Sequence, residues 1–495
     1  MLVRSREVAV SSETIDVLVR GGTVYSSSGR FRADLAIKDR KFVGIGLADN
    51  LPPAERVLDA QGLCVLPGIW HPHCHFREPG HTNKEDFESG TRAAAAGGIT
   101  FCVDQTNTDP HPTTLENFEA KRALVEGKAH IDFGLNGGGL YPEEIASLAR
   151  AGAISIKIFN TRHPKEVYPY ISDLGVVDHG LMYEIFEATA DAGLMVSVHH
   201  DDVDWVKRMV YRDYIDKGRV DRQAYMEAYE KGYMYGHGMV AGLAASAYYA
   251  RLAEVPLYVL HVGMMPVGAY DVLRFAKAQG QEIYGELEAS SALMPRSQAE
   301  KVGPFAMVWA HSPEAAWDSV HDGTTDVIVT EHAPHTREEF EPGWQDNFSV
   351  PLGQTGVQEF LPLMLTQVNA ERLTLEDLVR FCSENPARIF GQFPHKGAIQ
   401  VGSDADLTLV DMDRRATLTS ADMHSKTGLT SWEGMEVTGM PVYTVVRGRV
   451  VMDHGEITSE PSYGKFVPGA GAGRTAREEG PDSVTPPEQT LGVKP

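Results

Sequence analysis

Short apolar runs recur along this chain, separated by segments whose apolar residues return at helical spacing. The runs cover residues 63–70, 99–103, 131–135, 153–159, 195–199, 257–261, 282–287 and 326–331. Each has strand length, and stretches such as 181–192 between them read as amphipathic helices. Eight strand candidates, most followed by a helix candidate, predict a (β/α)₈ barrel of the TIM type. Such a barrel builds its active site at the C-terminal ends of its strands. Shorter strands with turns are predicted on either side: 14–20, 31–38 and 42–46 before the barrel, 406–410 and 442–449 after it. Gly448 and Gly455 are available there as turn or bulge positions. Two strand-rich ends around one barrel predict a small β-sandwich assembled from both. The expected division is residues 1–66 and 396–465 for the sandwich, 67–395 for the barrel and 466–495 for a tail.

The barrel strands carry a common chemical signature. The first runs into His71-Pro72-His73-Cys74-His75-Phe76-Arg77-Glu78-Pro79-Gly80. Residues two apart on a strand project the same way, so His73 and His75 point together and Cys74 points away. Further runs carry Lys157, His199, His261 and Glu331. Any one of these is compatible with an ordinary core or rim position. Five strands converging on metal-competent or acid–base groups point to a metal centre. Lys157 lies in an Ile-rich run, where burial opposes its charge. Its ammonium could simply reach a carboxylate or water at the strand end. A neutral amine facing a metal pocket can instead add carbon dioxide and become a carbamate that bridges two ions, and the four histidines favour that reading.

His73-x-His75-x-Arg77-Glu-Pro-Gly, followed by residues 84–98 with their Ala-rich, Gly-Gly ending, resembles the cyclic amidohydrolases: dihydroorotases, allantoinases and hydantoinases. The first stretch is most similar to dihydroorotases of the longer bacterial type. Residues 356–366 and 396–407 are more similar to allantoinases and hydantoinases. The similarity runs from about Asp16 to about Val467. It implies two divalent metal ions, most often zinc, on His73, His75, carboxylated Lys157, His199 and His261, with the eighth-strand carboxylate, here Glu331, as ligand and proton shuttle. Imidazole and carboxylate donors suit zinc or manganese. The implied reaction is hydrolytic opening of a cyclic amide by a metal-bridging hydroxide, with Glu331 carrying a proton to the leaving nitrogen. No organic cofactor is expected.

The departures from the family concern the substrate. His71 and Glu331 stand where aspartates are usual. No proline-rich, arginine-containing loop is recognisable in residues 305–313, and Ala289-Ser290 replaces a Pro-His pair. Arg77 and Asn107 resemble the dihydroorotase carboxylate grip, and His335 is a third candidate contact. His200, Asp201 and Asp202 are candidates to orient His199, or plain loop residues. The reading therefore leans towards an allantoinase or hydantoinase, with a dihydroorotase acting on an anionic ring as the alternative. A non-catalytic scaffold of the same fold is the rival from another class; such relatives generally lose the histidines kept here.

Composition narrows this picture. The chain has 495 residues, too long for one ordinary core, with 42% hydrophobic and 23% charged residues. A formal charge of −23 argues against nucleic acid and anionic membranes as partners. No apolar run approaches a membrane span. Residues 1–13 carry no apolar signal core, which makes the cytoplasm the expected location. Cys64, Cys74, Cys102 and Cys382 show no paired spacing, so disulfides are not expected. No strand–Ser–helix elbow is present. A homo-oligomer, dimer or tetramer, is expected. The Gly- and Pro-rich tail from about Pro468 is expected to be disordered or an arm on a neighbouring subunit.

Overall fold

The computed structural model describes residues 14–161 and 173–472. Within them eight parallel strands form the barrel: β1 Ile69–Cys74, β2 Ile99–Asp104, β3 Asp132–Leu135, β4 Ile156–Asn160, β5 Val196–His200, β6 Leu257–Val259, β7 Ile283–Glu288 and β8 Thr325–Val329. Helices cover their outer faces while their inner faces fill the barrel. Most strand residues are therefore buried on both sides and read as near-continuous apolar runs rather than alternating ones. β1 pairs with β2 and β2 with β3; β4 to β8 pair in sequence order. Gly137 and Gly138 prolong β3 and pair with Ile156 and Lys157, joining the two arcs. A bridge between Cys74 and His332, with the His75 N–H donating to His332 O at 2.8 Å, closes the ring.

The intervening helices begin where the sequence offers caps. Asp86 accepts from Ser89 N at the start of Phe87–Ala96, and Asp178 accepts from Gly180 N and Leu181 N at His179–Asp191.

The sandwich draws on both ends of the chain. One sheet has the order Lys41–Gly46, Asp34–Lys38, Ile15–Arg20, Ala54–Asp59. The other mixes C-terminal strands, among them Glu436–Val446 and Leu407–Thr417, with Cys64–Pro67, Thr23–Ser26 and Gly29–Arg32. Their shared core includes Val19, Leu35, Phe42, Val65, Leu407 and Val445. Residues 31–38, expected as one strand, are two strands in different sheets, because the chain crosses between sheets at Ala33. The run expected at 442–449 breaks at Arg447-Gly448, where both residues have positive φ (46° and 76°) and turn a hairpin.

A buried ionic cluster fastens the sandwich to the barrel. Lys396 Nζ lies 2.8 Å from Asp132 at the base of β3, 2.8 Å from Asp406 and 3.2 Å from Asp404. Arg447 Nε adds a contact of 3.0 Å to Asp132.

The expected tail begins too early. Val467 N donates to Phe133 O, Gly469 N donates to Gly152 O, and Phe466 packs against Phe133, so residues 466–472 lie on the chain's own barrel. Two aromatic rings and a short run of backbone bonds outweigh the flexible composition there. Residues 473–495 are outside the described residues.

Candidate metal centre

The centre is built in two layers. Lys157 pairs in register with Ser197, and Phe159 pairs with His199, so Lys157 starts two residues deeper in the barrel than the histidine beside it. The sequence places Lys157 towards a strand end, but β4 begins only at Ile156. Four methylenes let a lysine reach up from that deeper layer. His261 and Glu331 also differ from expectation: β6 ends at Val259 and β8 at Val329, so both residues lie just beyond their strands. His261 (φ 41°), Glu331 (φ 53°) and Arg77 (φ 62°) all adopt the left-handed conformation. Non-glycine residues rarely do so, and such positions cluster at functional sites.

Each first-strand histidine is oriented through its Nδ1. His73 Nδ1 lies 2.7 Å from Glu286 Oε1, and His75 Nδ1 lies 2.6 Å from Asn107 Oδ1. With Nδ1–H donating to these oxygens, each Nε2 keeps its lone pair for a metal. The two Nε2 atoms face each other at 3.2 Å. On the other side, His261 Nε2 and His199 Nδ1 are 2.8 Å apart. Ligand atoms of His73, His75 and Glu331 fall within 4.8 Å of one another, as do those of His199, His261 and Glu331. Two potential ion sites therefore share one carboxylate.

Burial sets the protonation states. It holds the His75 and His261 rings well below their ordinary range, which keeps them neutral and able to ligate. It pushes the Glu331 carboxyl up to about 7, and lowers the Lys157 ammonium to about 7. Lys157 Nζ is buried without a hydrogen-bond partner. Neutral imidazoles, a half-ionised carboxyl and a near-neutral amine in one cavity are a donor set that fits divalent metal ions.

The expected substrate contacts are arranged differently. Arg77 donates from Nε to Pro334 O at 3.2 Å, and its Nη2 lies 3.2 Å from His335 Nε2. His335 also faces Lys84 Nζ at 3.2 Å and Glu339 at 3.3 Å. Asn107 touches His75 and so positions a ligand. Asp202 caps the helix Val203–Asp213 by accepting from Trp205 N, and Asp201 accepts from Asp202 N. Neither of these bonds reaches His199. Cys74 turns into the core, as strand alternation predicts, with Sγ 3.2 Å from His71 Nδ1.

Sequence reasoning missed two positions. Glu286 accepts from Tyr258 OH at 3.0 Å and His261 N at 3.1 Å while holding His73, so one carboxylate orients ligands from two strands. The alternating acids Glu286 and Glu288 in β7 were the available signal. His71, read as a change near the substrate, serves the barrel seam. Its Nε2 accepts from Thr330 N at 3.0 Å and Thr330 Oγ1 at 2.9 Å, tying β1 to the residue before Glu331.

The geometry has a clear parallel among known proteins. The L-hydantoinase of Paenarthrobacter aurescens is 32% identical over 461 residues, covering 91% of this chain and 98% of that protein. The allantoinase of Solibacter usitatus is 32% identical over 458 residues, covering 90% of this chain and 95% of that protein. Among solved structures, L-hydantoinase (dihydropyrimidinase) from Arthrobacter aurescens aligns with a TM-score of 0.85 at 31% identity, covering 92% of this chain and 100% of that one. Residues 64–451, which hold every ligand candidate above, match the amidohydrolase family, and the chain belongs to it.

Proposed function

We propose that this protein is a metal-dependent hydrolase that opens a cyclic amide or ureide ring, on the hydantoinase and allantoinase side of its family. The observation that carries the reading is the pair of histidine groups sharing Glu331, with the buried amine of Lys157 in the same cavity. One ion would be held by His73, His75 and Glu331, the other by His199 and His261. Lys157, carboxylated by carbon dioxide, would bridge them. Zinc or manganese suits these donors. Such a pair supplies activated water at neutral pH and polarisation of the carbonyl under attack.

The protein's own groups do the rest. Glu331, half-ionised near neutrality, takes the proton of the attacking water and returns it to the ring nitrogen as the carbon–nitrogen bond breaks. Glu286 and Asn107 hold the ligand rings in the tautomer that leaves Nε2 available. A dihydroorotase-like preference for anionic rings rests on Arg77, whose bonds to Pro334 and His335 instead suit a brace for the loop after β8.

Exposed apolar side chains on two neighbouring helices support self-association. Tyr248 and Leu252 on the helix His237–Leu252 and Phe275 on the neighbouring helix Gly268–Ala278 leave half or more of their surface exposed. No helix among the described residues is long and apolar enough to cross a membrane. Light scattering would be expected to give two or four times the 54.2 kDa chain mass.

The decisive experiment measures bound metal in protein purified without added metal, then ring opening with hydantoins, allantoin, dihydroorotate, dihydrouracil and cyclic imides. About two ions per chain and turnover of a hydantoin or allantoin are expected. Absence of metal, with none taken up on titration, would sink the enzyme reading.

A further inference from the structure

The ligand set leaves one acid of β7 unused. Glu288 lies two residues beyond Glu286 and pairs with Val329 of β8. It therefore shares the interior face of the barrel with Glu286. Its exposure is 0%, and neither carboxylate oxygen makes a hydrogen bond of ordinary geometry within the protein. Gly263, in the loop after β6, packs closely against this group: a Cβ there would come within 2.5 Å of Leu287 Cδ1, 2.8 Å of Ser291 Cβ and 3.1 Å of Glu288 Oε1.

The neighbouring polar atoms are in the same state. Ser291 Oγ and Gln354 Oε1 are buried without partners. Gln354 is fixed in orientation, because its Nε2 donates to Ser290 Oγ at 2.8 Å. Along the β7–β8 wall this leaves three acceptor atoms and one hydroxyl, all buried. Leaving such groups unpaired is costly, so the wall is shaped for a ligand rich in N–H donors. Among the described residues Glu288 joins no compact group of His, Cys, Asp or Glu side chains, which argues against another metal ion as that ligand.

Resting on the cyclic-amide reading above, we propose that Glu288, with Ser291 and Gln354, recognises a planar N–H-bearing group, a ureido or carboxamide arm carried by the substrate away from the bond that is cut. An ionised Glu288 would accept both N–H groups of a ureido fork. Burial favours its neutral form, as do the nearby carboxylates of Glu331 and Glu286, against the backbone amides of Glu288 itself and Gly263, which favour the ionised form. In the neutral form its O–H donates to the arm's carbonyl while its C=O accepts an N–H. An alkyl arm of equal shape offers neither, and a site built for hydrogen bonds rejects the analogue that lacks them.

Allantoin and 5-isobutylhydantoin test this, since they share a ring and carry arms of the same shape, ureido against alkyl. The metal-loaded, full-length protein should prefer allantoin by about 100-fold or more in kcat/KM. Glu288→Leu should lower kcat/KM for allantoin about 10- to 100-fold and leave or raise that for the isobutyl compound, with Glu288→Gln in between. Glu288→Leu should also raise Tm, because it replaces an unpaired buried carboxyl with an apolar group of similar size. Equal losses on both rings together with a lower Tm would make Glu288 structural and overturn the proposal. Equal parent rates on the two rings, or preference for a 5-(aminoalkyl)hydantoin, would overturn it while leaving the cyclic-amide reading intact. A metal-loaded parent that opens no ring in the panel would overturn both.

Discussion

At the scale of single residues, burial places the titration of Glu331 and Lys157 near neutrality. Glu331 has one more methylene than the usual aspartate. The left-handed backbone at this position and the seam bond from His71 to Thr330 set where the longer arm reaches. Glu331→Gln keeps the size and would remove the proposed base. Its kcat should fall about 100- to 10,000-fold while bound metal is largely kept, and turnover at the parent rate would show that another group moves the proton. Lys157 makes a pH prediction. Burial lowers its pKa to about 7, so the amine is mostly charged below that pH and mostly neutral above it. Only the neutral amine adds carbon dioxide, releasing a proton. Metal uptake by stripped protein should therefore require bicarbonate and should rise between pH 6 and 8. His75 and His261 are already neutral in that window, whereas Glu331, raised to about 7, loses its proton there too, so the bicarbonate requirement and not the pH step alone marks the carbamate. Uptake independent of bicarbonate at every pH would remove the carbamate.

At the scale of elements, the barrel and sandwich are held together by charge as much as by apolar contact. Lys396 is buried among Asp132, Asp404 and Asp406, and their attraction raises its pKa far above the ordinary lysine value. Lys396→Met would leave Asp132 and Asp406 buried with one cation, Arg447, between them. Removing one partner of a buried ion cluster costs about 3–5 kcal/mol, so thermal unfolding should shift down by many degrees while the metal ligands stay in place. A variant as stable as the parent would mean that the apolar core of the sandwich alone holds the two parts together.

At the scale of the molecule, the candidate metal centre concentrates cost. Four histidines, a lysine and a glutamate, all but half-buried His199 nearly inaccessible, gather from five of the eight strands and the residues just beyond them. Ions that bind only the folded chain stabilise it, by about 2.7 kcal/mol at a hundred times their dissociation constant. Chelation should lower Tm and abolish ring opening together. Both should return when metal and bicarbonate are supplied, and recovery of Tm without activity would separate the structural from the chemical role of the ions.

The apolar runs by themselves determined the barrel, because parallel strands buried on both faces leave a continuous hydrophobic signature. The polar residue ending or entering five of these runs was visible for the same reason: a histidine or lysine amid isoleucine and valine has few structural explanations. His73, His75, Lys157, His199, His261 and Glu331 were thus legible as candidates from position and chemistry, supported by likeness to a family. Depth along the barrel was not legible, since the stagger between parallel strands is a property of closure; Lys157 lies a layer below His199 for that reason. The partners of the ligands were not legible either. Glu286 to His73, Asn107 to His75 and His71 to Thr330 span 213, 32 and 259 residues, and no local pattern records contacts at such separations. Arg77 shows the limit most plainly. Its residue type suggested a grip on an anion, but only the tertiary structure placed Pro334 and His335 within its reach and turned its side chain to them.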